Sequence, residues 1–196
     1  MNKNISSPET ILHKVTTPLT TWYQTNARLL PWRTPAGSSF RPDSYHVWIS
    51  EIMLQQTRVE AVKDYYTRFL KRLPDVSSLA GVSHDELMKL WQGLGYYSRA
   101  NNLQRAAIQI MEEYGGSFPE HYEEILTLPG IGEYTAGAIA SIAFGEAVPA
   151  IDGNVYRIYT RLCGDDSDIT KTPFKKKLRS LLSNAIPVTE PGSYNQ

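Results

Sequence analysis

The sequence predicts an all-α protein, on three observations. No stretch sustains the period-2 alternation of a half-buried strand. Apolar residues recur at steps of three and four. Gly, Pro and N-cap residues divide the chain into pieces of helix length.

Taken in order, residues 8–28 form a first helix that ends before Leu30-Pro31-Trp32-Arg33. Thr34 to Pro42 is a polar loop with two Pro, one Gly and two Ser, after which Asp43 or Ser44 caps a short apolar helix to about Leu54. Thr57 and Glu60 match a capping box opening a helix to about Arg72, with Val59, Val62, Tyr66 and Phe69 on one face. Pro74 ends it. Ser83 and Glu86 form a second box, before a helix to Trp91 that Gly93 and Gly95 terminate. Further helices span about Ser98 to Tyr114 and about Pro119 to Thr127. After Leu128-Pro129-Gly130-Ile131-Gly132 a helix runs to about Phe144. Asp152 caps the next, to about Leu162, and Thr172-Pro173 opens the last complete one. Residues near Tyr194 read as the opening of one more helix, cut short.

The 196 residues suit one domain or two small lobes, and 41% hydrophobic residues are enough for a core. Lys and Arg total 20 and Asp and Glu total 20, a balance that argues mildly against a duplex-binding protein. Distribution qualifies that number. Lys171, Lys175, Lys176, Lys177 and Arg179 cluster, and Arg58, Lys63, Arg68, Lys71 and Arg72 form a stripe. Either group alone is more often a solvated helix face. Cys163, the single cysteine, excludes an intrachain disulfide and a thiolate metal site, so no metal is expected on this chain. No apolar run approaches the roughly 18 residues of a membrane span. Residues 1–10 lack the apolar region of a signal peptide. A monomeric protein of the cytoplasm, not attached to a membrane and nucleoid-associated if bacterial, is expected.

Two stretches carry chemistry. In the first, Gly130 and Gly132 allow a tight turn with positive φ between two helices and expose backbone amides at the start of the second. Those amides and the helix dipole make an anion site, with Thr135 in its first turn. A helical hairpin of this kind holds a DNA phosphate without lysine. Alone, Gly-x-Gly between helices is more often a plain turn. The continuation Tyr134-Thr135-Ala136-Gly137-Ala138 adds small residues that permit close helix packing.

The second stretch is a pair of carboxylates in opposite settings. Asp152 lies at an N-cap, where the dipole and free amides favour the anion. Glu51 lies among Trp48, Ile49, Ile52 and Met53, which should raise its pKa and keep it protonated. Such a pair supplies one acid and one anion. Cleaving an N-glycosidic bond uses both: the leaving base takes a proton and the oxocarbenium-like sugar needs a negative charge nearby. Either residue alone reads as an ordinary cap or an exposed helix residue.

These strings, with Leu30-Pro31-Trp32-Arg33, Ser50 to Thr57, Trp91 to Tyr97, Leu128 to Gly137 and Asp152-Gly153-Asn154-Val155, resemble the MutY-type adenine DNA glycosylases, in that family's order. The resemblance runs from about Thr20 to the end. It implies a helix-hairpin-helix glycosylase fold: a six-helix barrel over 36–146, with the hairpin near 120–144, and a second helical lobe of 8–35 plus 147–196, incomplete. The activity implied is removal of adenine mispaired with guanine or 8-oxoguanine, on double-stranded DNA. By the same resemblance, Glu51 protonates adenine at N7. Asp152 stabilises the oxocarbenium ion, through its charge or by transient covalent attack. Asn154 and Tyr134 support these two. Gln56 and Tyr96 wedge into the base stack, and Arg33, Trp32, Leu54 and Gln196 border the extruded adenine. Bifunctional relatives carry a lysine at position 134; tyrosine cannot form their Schiff base, so a monofunctional enzyme is expected. Trp48 and Trp91 are expected in the core.

The chain departs from the family in two ways. The family usually continues into four cysteines that hold a 4Fe-4S cluster, and often into a domain that reads 8-oxoguanine. Neither is in this sequence, which is expected to be a fragment. The loop from Thr34 to Asp43 is also longer than expected. Two rivals stay open: a sister glycosylase acting on thymine opposite guanine, and a non-catalytic hairpin module that only binds DNA.

Overall fold

The computed structural model describes residues 7–35, 38 and 40–196, and no strand occurs among them. Helix α1 (Pro8–Asn26) begins where the Ser7 hydroxyl accepts the Thr10 amide at 3.3 Å. Part of the loop before α2 (residues 36, 37 and 39) lies outside the described residues, and with it the expected start of the larger lobe. Asp43 caps α2 (Ser44–Leu54) through the His46 amide at 3.1 Å.

The capping box expected at Thr57 and Glu60 does not form. The chain turns at Gln56 with φ +58, so α3 (Val59–Arg72) starts after Arg58 with no side chain on its first amides. The Thr57 hydroxyl donates to Gln55 O at 3.3 Å instead, and Glu60 pairs with Lys63 at 2.9 Å. A further helix, α4 (Val76–Gly81), has no counterpart in the sequence reading. Its box is Asp75 with Ser78, joined at 2.7 Å, and lacks the Glu or Gln that marks the usual signature. Only half of the box expected at Ser83 exists. Its hydroxyl takes the Glu86 amide at 3.3 Å to start α5 (His84–Trp91), but the Glu86 carboxylate pairs with Arg72.

Next come α6 (Ser98–Glu113) and the single turn α7 (Tyr122–Ile125), shorter than expected. Helix α8 (Glu133–Ile139) widens into a π-helical turn, Ala140–Phe144, closed by Gly145 at φ +73. An extended segment leads to α9 (Gly153–Cys163), capped by Asp152 as expected. Lys171, not Thr172, is the N-cap of α10 (Thr172–Ala185), with Pro173 in the first turn. The chain closes with α11 (Pro191–Asn195).

Buried apolar residues form two clusters. The first is drawn from positions 32–143 and includes Trp48, Phe69 and Trp91; the two tryptophans are fully buried, as expected. The second joins α1, α9 and α10 through Leu12, Tyr159, Phe174, Leu178 and Leu182. Gly137 governs how the extended segment packs on α8. A Cβ there would lie 2.8 Å from Pro149 O, so only glycine lets the segment pass and bring Asp152 beside the first turn of α8. Asn195 fixes the same segment, accepting the Ala150 amide at 3.1 Å and donating to Val148 O at 2.9 Å.

Candidate active site

Three helix segments converge on one cavity of about 330 Å³: the last turns of α2 with Glu51, the start of α8 with Tyr134, and the cap of α9 with Asp152. The same cavity is lined by Trp32, Arg33, Leu54, Gln56 and Gln196. Residues scattered over more than 160 positions therefore share one space.

Glu51 is half-buried, and burial pushes its carboxyl up to about 7 from the usual 4.5. The Tyr134 hydroxyl and the Arg33 guanidinium pull it down, and Asp152 adds to the rise. Tyr134 is raised above the ordinary phenol value, first by burial and then by the two carboxylates, so it keeps its proton and can donate it.

Both oxygens of Asp152 are engaged. Oδ1 accepts the Asn154 and Val155 amides, each at 2.9 Å, and Oδ2 accepts Asn154 Nδ2 at 2.8 Å. Arg157 in turn donates to Asn154 Oδ1 at 2.8 Å. Asp152 is thus a helix cap and a cavity wall at once, and Asn154 fixes its rotamer.

Arg33 lies 5.7 Å over the Tyr23 ring and donates to Gln196 O at 3.2 Å, while Tyr23 donates to Gln196 Oε1 at 2.9 Å. Trp32 is both wall and core: it is buried and meets Tyr66 edge-on at 5.4 Å. Sequence reasoning missed Arg28, Ser50, Gln55 and Asn195, which also line the cavity. The string around Glu51 contains Ser50 and Gln55, but nothing local marks Arg28 or Asn195.

The hairpin lies between α7 and α8. Gly130 has φ +78, and a Cβ there would sit 2.6 Å from that of Asn102, so glycine is required twice over. Gly132 differs from the expectation. Its φ is −101, ordinary for any residue, and open space surrounds it. Thr135 also differs: its side chain is buried, with the hydroxyl 3.4 Å from Gln55 Nε2, so only its amide is left to meet a phosphate. Tyr96 does not line the cavity. It stands on the turn before α6, largely exposed, with φ +45. Part of the basic cluster near the C-terminus is paired, Lys177 with Asp165 at 2.9 Å and Arg179 with Glu133.

Cys163 is the single cysteine of the sequence, and no cluster of three His, Cys, Asp or Glu among the described residues could hold a metal. The residues present do not fit a four-cysteine cluster. No helix among the described residues is long and apolar enough to cross a membrane.

Residues 49–184 match the HhH-GPD superfamily base excision DNA repair protein model. The adenine DNA glycosylases of Mus musculus and Homo sapiens are each 44% identical over 181 residues, which is 91% of this chain but 35% and 33% of theirs. That of Buchnera aphidicola subsp. Acyrthosiphon pisum is 40% identical over 89% of this chain and 49% of its own. The chain spans between a third and a half of the length of these relatives. Among solved structures, a thermostable thymine-DNA glycosylase matches with TM-score 0.83 at 26% identity, covering 97% of this chain and 85% of that one. An endonuclease III trapped as a covalent intermediate with DNA matches at TM-score 0.75 and 20% identity, covering 95% and 83%, a likeness of fold. The all-α, helix-hairpin-helix fold class expected from the sequence is the observed one.

Proposed function

The chain belongs to the HhH-GPD superfamily of base excision DNA repair proteins, and from that premise we propose that it hydrolyses the N-glycosidic bond of adenine mispaired with 8-oxoguanine or guanine, without cutting the strand. One observation carries the reading: Glu51, with its carboxyl held up to about 7, shares a cavity with the Asp152 carboxylate.

The division of labour follows from the environments. A carboxyl with a pKa near neutrality is protonated in a large fraction of molecules and can give its proton to the leaving base. Asp152, held by Asn154 and two amides, faces the sugar as the bond breaks and supplies negative charge to the oxocarbenium-like state. The Tyr134 hydroxyl lies within the influence of both carboxylates, where it can order a water or a phosphate oxygen. It has no amine with which to form an imine, which supports base release without strand scission.

Reaching the base requires extruding it from the duplex, at a cost of roughly a few kcal/mol. Gln56 and Tyr96 are the exposed side chains placed to fill the vacated space. The hairpin supports grip on the backbone. Nothing in the fold demands glycine at 132, and the room beside it suits a phosphate oxygen approaching the free amides of α8. The 4Fe-4S cluster of the wider family would have to be held by residues outside this sequence. We place the protein in the compartment that holds the DNA.

The thymine alternative draws on the likeness to a thymine-DNA glycosylase at 26% identity. Adenine is favoured because the adenine DNA glycosylases reach 44%. A module that merely binds DNA has no use for a carboxyl held in an unfavourable setting. The test is base release from duplexes carrying adenine opposite 8-oxoguanine, adenine opposite guanine, and thymine opposite guanine, resolved with and without hot alkali. Adenine release that yields breaks only after alkali is expected. Thymine release alone, or breaks without alkali, would refute the proposal.

A further inference from the structure

Among the described residues, two that are not glycine have positive φ: Gln56 at +58 and Tyr96 at +45. L-residues adopt this conformation at a cost and keep it where the surroundings over-determine it. The two positions are 40 residues apart in sequence, on the turn after α2 and the turn before α6. One side chain braces both.

Arg99, in the first turn of α6, is buried, yet its guanidinium is the hub of two loops. Its Nη1 donates to Ile52 O at 2.8 Å, Met53 O at 3.1 Å and Gln55 O at 2.7 Å, two carbonyls in the last turn of α2 and that of the residue before Gln56. Its Nη2 donates to Leu94 O at 3.0 Å and Gly95 O at 3.3 Å, the two residues before Tyr96. The guanidinium carbon also lies 5.4 Å from the Trp91 ring and 5.7 Å from the Tyr96 ring. A cation at the carbonyl end of α2 is favoured by the helix dipole. Only a planar fork with several fixed donors can serve two diverging sets of acceptors; a lysine ammonium is a single point.

We propose that Arg99 is the positioning residue that presents Gln56 and Tyr96 to the duplex as one rigid wedge, an inference that rests on the glycosylase reading above. Arg99 touches neither the leaving base nor the sugar. It removes in advance the cost of ordering two separate loops when they enter the base stack. Its loss therefore falls on base extrusion rather than on phosphate contact or on proton transfer.

The experiment uses Arg99→Lys in a Glu51→Gln background, which prevents base release, with 2-aminopurine in place of the target adenine. Fluorescence rises when that base leaves the stack. Arg99→Lys is expected to lower the extrusion equilibrium by about tenfold or more. Affinity for an undamaged duplex, in which no base is extruded, should change by less than about threefold by anisotropy, because the hairpin contacts are untouched. Unchanged extrusion overturns the inference. So does a loss of affinity for the undamaged duplex that parallels the loss of extrusion, which a merely structural role predicts. Should Arg99→Lys be unfolded at the assay temperature, hydrogen exchange on the parent protein decides. One shared opening for the amides of the two turns supports a common brace, and independent openings overturn it. Adenine release by the unsubstituted protein, scored separately, judges the glycosylase reading whatever the fate of Arg99.

Discussion

Replacing Glu51 with Gln should make the protein more stable at alkaline pH while abolishing base release. Burial raises the Glu51 carboxyl from 4.5 to about 7. Between those values the folded protein holds a proton that the unfolded chain has released. Stability therefore falls as pH rises through this window, and the whole penalty is present above it. The difference in pKa corresponds to roughly 3 kcal/mol. Glutamine keeps the shape and removes the charge, so Glu51→Gln should gain about that amount near pH 8 and almost nothing near pH 4.5, where the folded acid is neutral and the unfolded one only half ionised. For a chain of this length the gain is a melting temperature higher by roughly 6 to 12 °C. Thermal or urea denaturation of both proteins at the two pH values measures it. An effect of equal size at both, or a loss of stability near pH 8, would refute the claim that Glu51 is held protonated by its surroundings. The pairing of gained stability with lost activity is the signature of a residue kept for chemistry.

The remaining predictions concern the same cavity. Single-turnover adenine release should be flat below about pH 7 and fall about tenfold per pH unit above it, as Glu51 loses its proton. Tyr134→Phe removes a hydroxyl that pulls Glu51 down, so the falling limb should move to higher pH; a limb that stays in place would separate the two residues. Asp152→Asn should lower base release by at least about a hundredfold while leaving the melting temperature nearly unchanged, since Asn caps a helix as well as Asp. Equal losses of activity and stability would reduce Asp152 to a cap. Gly137→Ala places a Cβ 2.8 Å from Pro149 O, and should cost about 1–3 kcal/mol in denaturation while displacing the segment that carries Asp152.

The sequence was most legible where a few neighbouring residues determine the outcome. Asp43, Ser83 and Asp152 cap helices because each can reach an amide two or three positions on. Thr57 does not cap because that pattern requires the chain to enter the helix directly, whereas Gln56 turns it first. Thr135 follows the hairpin at a spacing that suits an anion site, but the packing of α8 on α2 buries its side chain. Arg99 was invisible for a related reason. In sequence it is one more basic residue of an amphipathic helix, since half of its acceptors are backbone carbonyls more than 40 positions away. No side-chain pattern encodes those.

By itself the sequence determined the helical class and most helix boundaries, and it singled out both carboxylates as candidates. Those depend on propensity, capping and apolar spacing within a turn or two. Tertiary structure decided what the carboxylates can do. Glu51 has neutral-range acidity only because other elements exclude water around it. Asp152 faces the same cavity only because Gly137 lets residues 146–152 lie against α8. Desolvation and long-range approach are properties of packed surfaces, and they come into existence when the two clusters close around the site.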